Sequence, residues 1–216
     1  MNIEQSLATK LLSIKAIKLS PEKPFTWASG LRSPIYCDNR ISLAYPEVRN
    51  LVQEGFINMI KQNNFSCDCI VGVATAGIPH GAILADKLDI PFAYVRSKAK
   101  AHGRQNQIEG KLNSNDRVVL IEDLISTGGS SLQAVQVLKD IDITVLDVFS
   151  IFSYNLIESK TNFDNANCSY SSLTNYPSLL IAAESEGYIS SKEYSILKEW
   201  YLDPKAWSDQ FSSNND

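Results

Sequence analysis

The chain has 216 residues, 44% of them hydrophobic, and its 20 basic and 24 acidic side chains leave a formal net charge of −4. A chain of this length buries a core of its own, so one domain that needs no disulfide or structural metal is expected. The near-balance of charge excludes the broad basic surface of a protein that coats nucleic acid.

The charges are distributed unevenly along the chain. Residues 151–216 contain nine acids, four lysines and no arginine, whereas the first 150 residues carry a net charge of +1 and every arginine of the protein. A site that binds an anion is therefore expected in the first two thirds of the sequence.

The N-terminus and the cysteines indicate a cytoplasmic protein with no membrane partner. The first 20 residues have lysines among the apolar residues and lack the features of a signal peptide. No segment approaches the roughly 20 apolar residues that cross a bilayer. Cys67 and Cys69 are too close in sequence for an ordinary disulfide, and the four cysteines lack the spacing of a zinc site, so we expect reduced thiols.

The first third of the chain is predicted to contain two helices and a small hood. Apolar residues recur every three or four positions over residues 3–17, which predicts an amphipathic helix. Residues 21–38 contain three prolines and two short β-prone runs, which favour a hairpin. Pro46 then opens a second helix, whose apolar stripe extends to Ile60.

The middle of the chain alternates between apolar strands and helices. Continuous apolar strands of this kind are typical of an α/β fold whose mostly parallel sheet is covered by helices on both faces. The loops after Val73, Arg96 and Asp123 would then meet at the carboxyl edge of the sheet, where ligands bind. The predicted strands are residues 67–74, 90–96, 117–123 and 143–152; residues 75–81 are a predicted loop, and the predicted helices are residues 81–89 and 130–140.

The last third is predicted to be a helical tail. Ser190 and Glu193 have capping-box spacing at the start of a helix over residues 190–203, and another helix is predicted over residues 179–186. The aromatic residues of the tail are expected to pack on the sheet and not against a ligand. We expect one domain in three parts: residues 1–45 form the N-terminal helix and hood, residues 46–152 the core, and residues 153–216 the tail.

The segment Val118–Ser131 carries the most informative chemistry. Its apolar residues deliver Glu122 and Asp123 to the end of a strand, and hydroxyl residues with two glycines then enter a helix. The glycines permit a tight turn, and the hydroxyls with the N–H groups of the helix start form a socket for a phosphate dianion. Two acids would repel that phosphate unless they bind sugar hydroxyls or Mg²⁺ on the same ligand. The segment therefore predicts a phosphorylated sugar; the alternative is a glycine-rich loop beside two surface acids that cap a helix.

A second polar segment forms a basic loop after the strand that ends at Arg96. Its positive side chains fit a polyanion, and Gly103 and Gly110 give it the freedom of a lid. The alternative is a solvated charged loop. Its basic residues occupy alternating positions and are Arg96, Lys98, Lys100, His102 and Arg104.

The segment Val118–Ser131 resembles the signature of the type I phosphoribosyltransferases, which bind 5-phosphoribosyl-1-pyrophosphate (PRPP). The resemblance implies that fold, with Glu122 and Asp123 on the ribose hydroxyls and Ser126–Ser130 on the 5-phosphate. It implies Mg²⁺ as the cofactor, held by PRPP without a direct protein ligand, with Asp123 within reach of it through water. The residues implied to bind PRPP are Arg96, Lys100, His102, Glu122, Asp123, Leu124, Ile125, Ser126, Thr127, Gly128, Gly129 and Ser130.

The basic loop and the hood are similar to those of the orotate-using members of this family, and the match covers about residues 20–150. This resemblance implies that orotate and PRPP are converted to orotidine 5′-monophosphate and pyrophosphate, a step toward UMP. It assigns catalytic roles to Lys100, His102 and Asp123. It also implies a homodimer in which the 96–110 loop completes the neighbouring site. Orotate contacts are implied for Arg32, Tyr36 and Ser126.

Two alternatives and several departures remain. The protein could transfer ribose 5-phosphate to another base, or could be a non-catalytic regulator that senses PRPP. Ser97 and Ala28 stand where some members have lysine, and no arginine follows Arg117 to pair with the orotate carboxylate. The partner of that carboxylate is therefore left open.

Overall fold

The computed structural model describes residues 3–27, 30–98 and 107–212. A 3-10 helix covers Asn39–Ala44. The strands are β1 (Ile17–Leu19), β2 (Phe25–Thr26), β3 (Arg32–Ser33), β4 (Ile35–Cys37), β5 (Cys69–Val73), β6 (Phe92–Val95), β7 (Ile108–Glu109), β8 (Arg117–Ile125), β9 (Thr144–Ser153) and β10 (Tyr170–Asn175). The helices are α1 (Ile3–Ser13), α2 (Pro46–Gln62), α3 (Gly77–Leu88), α4 (Gly129–Lys139), α5 (Ile157–Asn165), α6 (Tyr176–Ser185), α7 (Ser191–Leu202) and α8 (Pro204–Ser212).

The central sheet has the strand order β10-β9-β8-β5-β6-β7. Every neighbouring pair is parallel except β6 and β7, which are antiparallel. The predicted α/β fold with a mostly parallel sheet is thus confirmed. Because the strands run in one direction, the loops that follow β5, β6 and β8 emerge at the same edge.

Both faces of the sheet are buried, which explains the continuous apolar runs of its strands. Ile70 and Val119 belong to one core cluster, and their neighbours Val71 and Leu120 belong to the other. Consecutive side chains of a strand point to opposite faces, so a sheet between two helical layers needs apolar residues at every position. Helices α1, α2, α3 and α6 supply buried residues to the first cluster, and α4 and α5 supply them to the second.

The hood consists of two small antiparallel pairs, β1 with β4 and β2 with β3. The helix predicted over residues 3–17 is wrong at its C-terminal end, because α1 ends at Ser13. Lys15 takes the left-handed φ of 59°, and Ile17 then pairs with Cys37 across the hood. Ile17 gains complete burial there, so tertiary packing ends the helix early.

Two boundaries at the carboxyl edge also differ from prediction. The predicted loop over residues 75–81 is wrong from its third residue onward, because α3 begins at Gly77. Pro79 stands in the first turn of that helix, where a missing N–H costs no hydrogen bond. Strand β8 continues past Asp123 because Leu124 and Ile125 pair with β9.

The tail is not wholly helical as predicted, because it contributes β10 to the edge of the sheet. Only Leu173 and Thr174 of this strand are buried, so it lacks the apolar run that marks the other strands. Helix α6 begins at Tyr176, three residues before its predicted start, and Asn175 caps it by accepting a hydrogen bond from the Ser178 N–H. In the described part of the chain, no helix combines the length and apolarity required for a membrane span.

Candidate active site

The acid pair lies near the carboxyl end of β8, and its two members have different environments. Glu122 is 5% exposed, whereas Asp123 is half-buried. Glu122 Oε1 accepts a hydrogen bond from the Asp123 N–H at 3.1 Å, and Oε2 lies 3.3 Å from Ser130 Oγ and 3.4 Å from Ser131 Oγ. Glu122 is therefore a buried acid tied to the start of α4, not one of two surface acids.

Burial changes the proton affinity of both acids. It raises the pKa of Glu122, and the nearby Asp123 carboxylate raises it further. Burial also raises the pKa of Asp123, an effect partly offset by the hydrogen bond to Glu122 and by Arg40. Strongly shifted carboxyl groups at a sheet edge are typical of a functional site.

The loop that joins β8 to α4 exposes backbone N–H groups. Gly128 is the N-cap of α4 and supplies no side chain to the first turn, so the N–H groups there are open to an anion. The loop is held from outside by the amide of Asn162, whose Nδ2 donates to the Thr127 carbonyl oxygen at 2.9 Å. The predicted phosphate residues Ser126, Thr127, Gly129 and Ser130 surround this turn.

Gly128 is required by the turn for two separate reasons. Its φ is +85°, a conformation that side chains rarely adopt. A Cβ at this position would also collide with the ring of Phe163 on α5. Gly129, in contrast, faces open space.

The start of the basic loop lies close to residues 126–130, the loop predicted to bind phosphate (the phosphate loop). Arg96 and Ser130 line the same small cavity of about 30 Å³. Arg96 Nη1 forms an ion pair with Glu109 Oε1 at 3.3 Å, and the Arg96 N–H donates to the Gln107 carbonyl oxygen at 2.7 Å. Lys98 is exposed. Lys100, His102 and Arg104 lie outside the described residues.

The hood is joined to the acid pair through a residue that the sequence interpretation did not single out. Asn39 is fully buried, and its Nδ2 donates to the Asp123 carbonyl oxygen at 2.7 Å. Its Oδ1 accepts a hydrogen bond from Cys37 Sγ at 3.3 Å. The neighbouring Arg40 forms a bidentate pair with Asp38 at 2.6 and 2.9 Å. The only signal in the sequence was the polar end of the hood segment, residues 38–40.

The residues predicted to contact orotate do not line one common cavity, since Arg32 and Tyr36 are absent from the cavity that Ser126 lines. Tyr36 is 41% exposed and packs on Phe25, with ring centroids 5.7 Å apart. Arg32 lies half-buried on β3, and its N–H donates to Ser208 Oγ of the tail. Ser126 lines a cavity of about 640 Å³ between the tail and the hood residues Trp27, Gly30 and Leu31, which we call the hood turn. A larger cavity of about 950 Å³ between β7 and α4 contains none of the predicted PRPP or orotate residues.

A magnesium site is not preformed among the described side chains. No three His, Cys, Asp or Glu residues are grouped there in a way that could hold a metal ion. The carboxylate of Asp123 is nevertheless a hard oxygen donor of the kind that Mg²⁺ prefers, and it is half-buried at the sheet edge.

Comparison with known proteins gives a consistent family match. A family model described as phosphoribosyl transferase domain matches residues 44–162. A protein of Listeria innocua named orotate phosphoribosyltransferase is 48% identical over 207 residues, which cover 96% of this chain and 99% of that protein. A protein of the same name from Streptococcus pneumoniae is 49% identical over 209 residues, covering 97% of this chain and 100% of that protein.

A solved structure extends the match to the three-dimensional level. The orotate phosphoribosyltransferase of Aeropyrum pernix superposes with a TM-score of 0.73 and 26% sequence identity, covering 85% of this chain and 99% of that chain. The similarity therefore extends beyond residues 44–162, the segment that the family model matches.

Proposed function

The chain belongs to the phosphoribosyltransferase family, and we propose that it transfers ribose 5-phosphate from PRPP to orotate. The products are orotidine 5′-monophosphate and pyrophosphate, and the step belongs to pyrimidine synthesis. The observation that carries the choice of base is the near-full-length identity with proteins named orotate phosphoribosyltransferase. The geometry of the sheet edge supports the choice of PRPP.

PRPP binding follows from three groups of residues. The 5-phosphate lies in the turn at residues 126–130, where the free N–H groups at the start of α4 favour a dianion. Asp123 and Glu122 bind the ribose hydroxyls. Glu122 is also hydrogen-bonded to Ser130 and Ser131, so the ribose site and the phosphate site share the start of α4. Arg96, Lys100 and His102 bind the pyrophosphate.

The ion pair between Arg96 and Glu109 is weak enough for Arg96 to bind pyrophosphate instead. Arg96 and Glu109 are each about one third exposed, and ion pairs of this kind contribute at most about 1 kcal/mol. The highly charged pyrophosphate can therefore take the place of Glu109 at little cost. Charge-assisted hydrogen bonds to a phosphate are stronger than the pair that they replace.

Orotate is proposed to lie between the hood and the phosphate loop. Arg32, Tyr36 and Ser126 are the residues assigned to it. The bond from Asn39 to the Asp123 carbonyl holds the hood over the ribose acids, so the base and the anomeric carbon are kept in proximity.

The transfer needs charge stabilisation more than a strong base. As the bond to pyrophosphate breaks, negative charge grows on the leaving group, and Arg96, Lys100 and His102 stabilise it. Asp123 faces the positive charge that develops on the ribose. Asp123 is the residue that would hold Mg²⁺ through water when PRPP brings it, and the ion would then further neutralise the pyrophosphate. Closure of the basic loop excludes water and limits hydrolysis.

The protein is proposed to act as a cytoplasmic homodimer in which the 96–110 loop completes the neighbouring site. All four cysteines are free thiols, as a reducing compartment requires. Arg96 and Gln107 of this loop line one small cavity with Ser130 of the same subunit.

The decisive experiment is an assay of purified protein with Mg²⁺, PRPP and each of orotate, adenine, guanine and hypoxanthine. The expected result is loss of orotate absorbance that depends on PRPP, with no turnover of the purines. Consumption of a purine in place of orotate would establish the other-base alternative. PRPP binding without turnover of any base would establish the regulator.

A further inference from the structure

The C-terminal helix α8 lies directly against the hood strand that carries Arg32. The backbone N–H of Arg32 donates to Ser208 Oγ at 2.9 Å. Ser208 is buried, although 176 positions separate the two residues in sequence. A partly buried N–H that loses its acceptor is destabilising, so this bond holds the position of β3.

Aromatic packing makes the contact between hood and tail rigid. Trp27 of the hood turn packs edge-to-face on Trp200 of α7 with centroids 6.0 Å apart, and both rings contact Tyr154 at the end of β9. Tyr201 adds a hydrogen bond from its hydroxyl to the Asn155 carbonyl oxygen at 2.7 Å. The tail is thereby attached both to the hood and to the carboxyl edge of the sheet.

One cavity connects this junction with the phosphate loop. The cavity of about 640 Å³ is bounded by Leu31 of the hood turn, by Ser126 and Thr127 of the phosphate loop, and by Tyr201 and Ser208 of the tail. A shift of α8 would therefore move the wall of a space that Ser126 shares. The acidic tail, which carries none of the predicted ligand contacts, thus shares a cavity with Ser126, one of the three residues assigned to the base.

We propose that Ser208 is a positioning residue for base recognition, which acts by holding β3 so that Arg32 and the hood turn form the wall of the base site. This inference rests on the proposed function. It predicts a larger effect on binding of the base than on binding of PRPP, because the hydrogen bond of Ser208 is to the hood strand and not to the acid pair.

The test compares three variants in the full-length protein. Ser208→Ala removes the acceptor, Ser208→Thr keeps an oxygen in its place, and Gln210→Ala changes an exposed residue of the same helix. We expect Ser208→Ala to raise the KM for orotate about fivefold to tenfold while the KM for PRPP changes less than twofold, consistent with loss of one hydrogen bond. Ser208→Thr should restore the orotate KM, and Gln210→Ala should leave both constants unchanged.

Equal changes in the two KM values, an unchanged orotate KM in Ser208→Ala, or the same effect in Gln210→Ala would each overturn the proposal. A thermal unfolding scan of each variant detects a general loss of folding. If that loss were the cause, Ser208→Thr would not selectively restore the KM for orotate. The KM ratio can be measured with whichever base the wild-type protein accepts. Failure of wild-type turnover with orotate would therefore refute the proposed function, and failure of the ratio would refute this inference.

Intrinsic fluorescence gives a readout that does not depend on turnover. The protein has three tryptophans, and they lie in the hood turn (Trp27), in α7 (Trp200) and in α8 (Trp207). We expect the base to change this fluorescence, with a Kd weakened about fivefold to tenfold in Ser208→Ala. A Kd that is equal in wild-type and Ser208→Ala proteins would contradict the proposed role of Ser208.

Discussion

The side-chain amide of Asn39 donates a hydrogen bond to the backbone carbonyl of Asp123 at 2.7 Å across 84 positions of sequence. This bond connects the hood to the strand end that carries the acid pair, and Asn39 is fully buried where it forms. The position of the hood over the acid pair therefore depends in part on an amide that faces no solvent.

Replacing Asn39 should weaken both folding and PRPP binding. Asn39→Asp keeps the shape but turns the donor into a second acceptor beside Asp38 and the Asp123 carbonyl. We expect a loss of about 1–3 kcal/mol in the free energy of unfolding and a rise in the KM for PRPP. Urea unfolding and steady-state kinetics measure the two effects. Asn50→Asp, an exposed change of equal charge on α2, is the control; similar losses in both variants would contradict the role of Asn39.

Glu122 should make the stability of the protein fall as the pH rises. Its folded-state pKa is raised by burial and by Asp123, so folding favours the protonated acid and loses stability once the pH passes the pKa of the unfolded chain. Glu122→Gln cannot ionise. Relative to wild type, we expect its free energy of unfolding to increase more at pH 8 than at pH 5, by about 1.4 kcal/mol per unit of pKa shift.

Urea unfolding at the two pH values measures this difference. Glu54→Gln, on the exposed face of α2, removes a carboxyl without altering the site and serves as the control. A difference between Glu122→Gln and wild type that is the same at both pH values would show that the Glu122 pKa is not raised.

A Cβ at Gly128 should lower the free energy of unfolding by more than the positive φ alone would. Gly128→Ala has both a left-handed backbone and a collision with Phe163, for an expected cost of about 2–4 kcal/mol. Gly187 has a φ of +73° with open space around it, so Gly187→Ala isolates the backbone contribution, about 1 kcal/mol. Equal destabilisation of the two variants in urea would rule out the contact with Phe163.

His80 should make the protein sensitive to acid. It is fully buried on α3, neither ring nitrogen has a hydrogen-bond partner among the described residues, and burial lowers its pKa to about 4. The unfolded chain binds the proton near pH 6.5, so stability falls as the pH drops from there toward 4, by about 3 kcal/mol. His80→Leu should flatten this part of the stability profile. His102→Ala, which keeps His80, is the comparison; an equally steep profile in His80→Leu would assign the acid sensitivity to other groups.

Lys100 should be essential for turnover, and its loss should be rescued across subunits. We expect Lys100→Ala to reduce kcat by orders of magnitude with little change in unfolding, as for a contact made in the transition state. Mixing it with Asp123→Asn should restore activity, because a heterodimer then contains one intact site. Random exchange gives heterodimers in half of the dimers, so recovery should reach about one quarter of wild-type activity. No recovery after verified subunit exchange would place Lys100 in the site of its own subunit.

Features whose physical cause lies within one short segment were predictable. The strands β5, β8 and β9 are buried on both faces, so their apolar runs reveal them without knowledge of their partners. The acid pair and the phosphate loop occupy one continuous segment, since the end of β8, the glycine turn and the start of α4 follow each other along the chain.

Features that depend on a partner distant in the sequence could not be predicted from the sequence. Strand β10 has a polar sequence, and only its pairing with β9 and the burial of Leu173 make it a strand. Residues 14–17 continue a helical pattern, but Ile17 gains more by pairing with Cys37 in the hood. In both cases tertiary packing prevails over local propensity.

The sequence by itself determined the chain order of β5, α3, β6, β8, α4 and β9, the acid pair and the glycine turn after it, because each is specified by neighbours in the chain; the short antiparallel strand β7 was not predicted. Only the tertiary structure decided how that turn is enclosed. Asn39 reaches Asp123 and Ser208 reaches Arg32 across 84 and 176 positions, and no local pattern encodes a hydrogen bond between residues so far apart. The acidic, arginine-free sequence of the tail does not indicate a contact with the hood, but in the folded protein Ser208 of the tail is hydrogen-bonded to the hood strand.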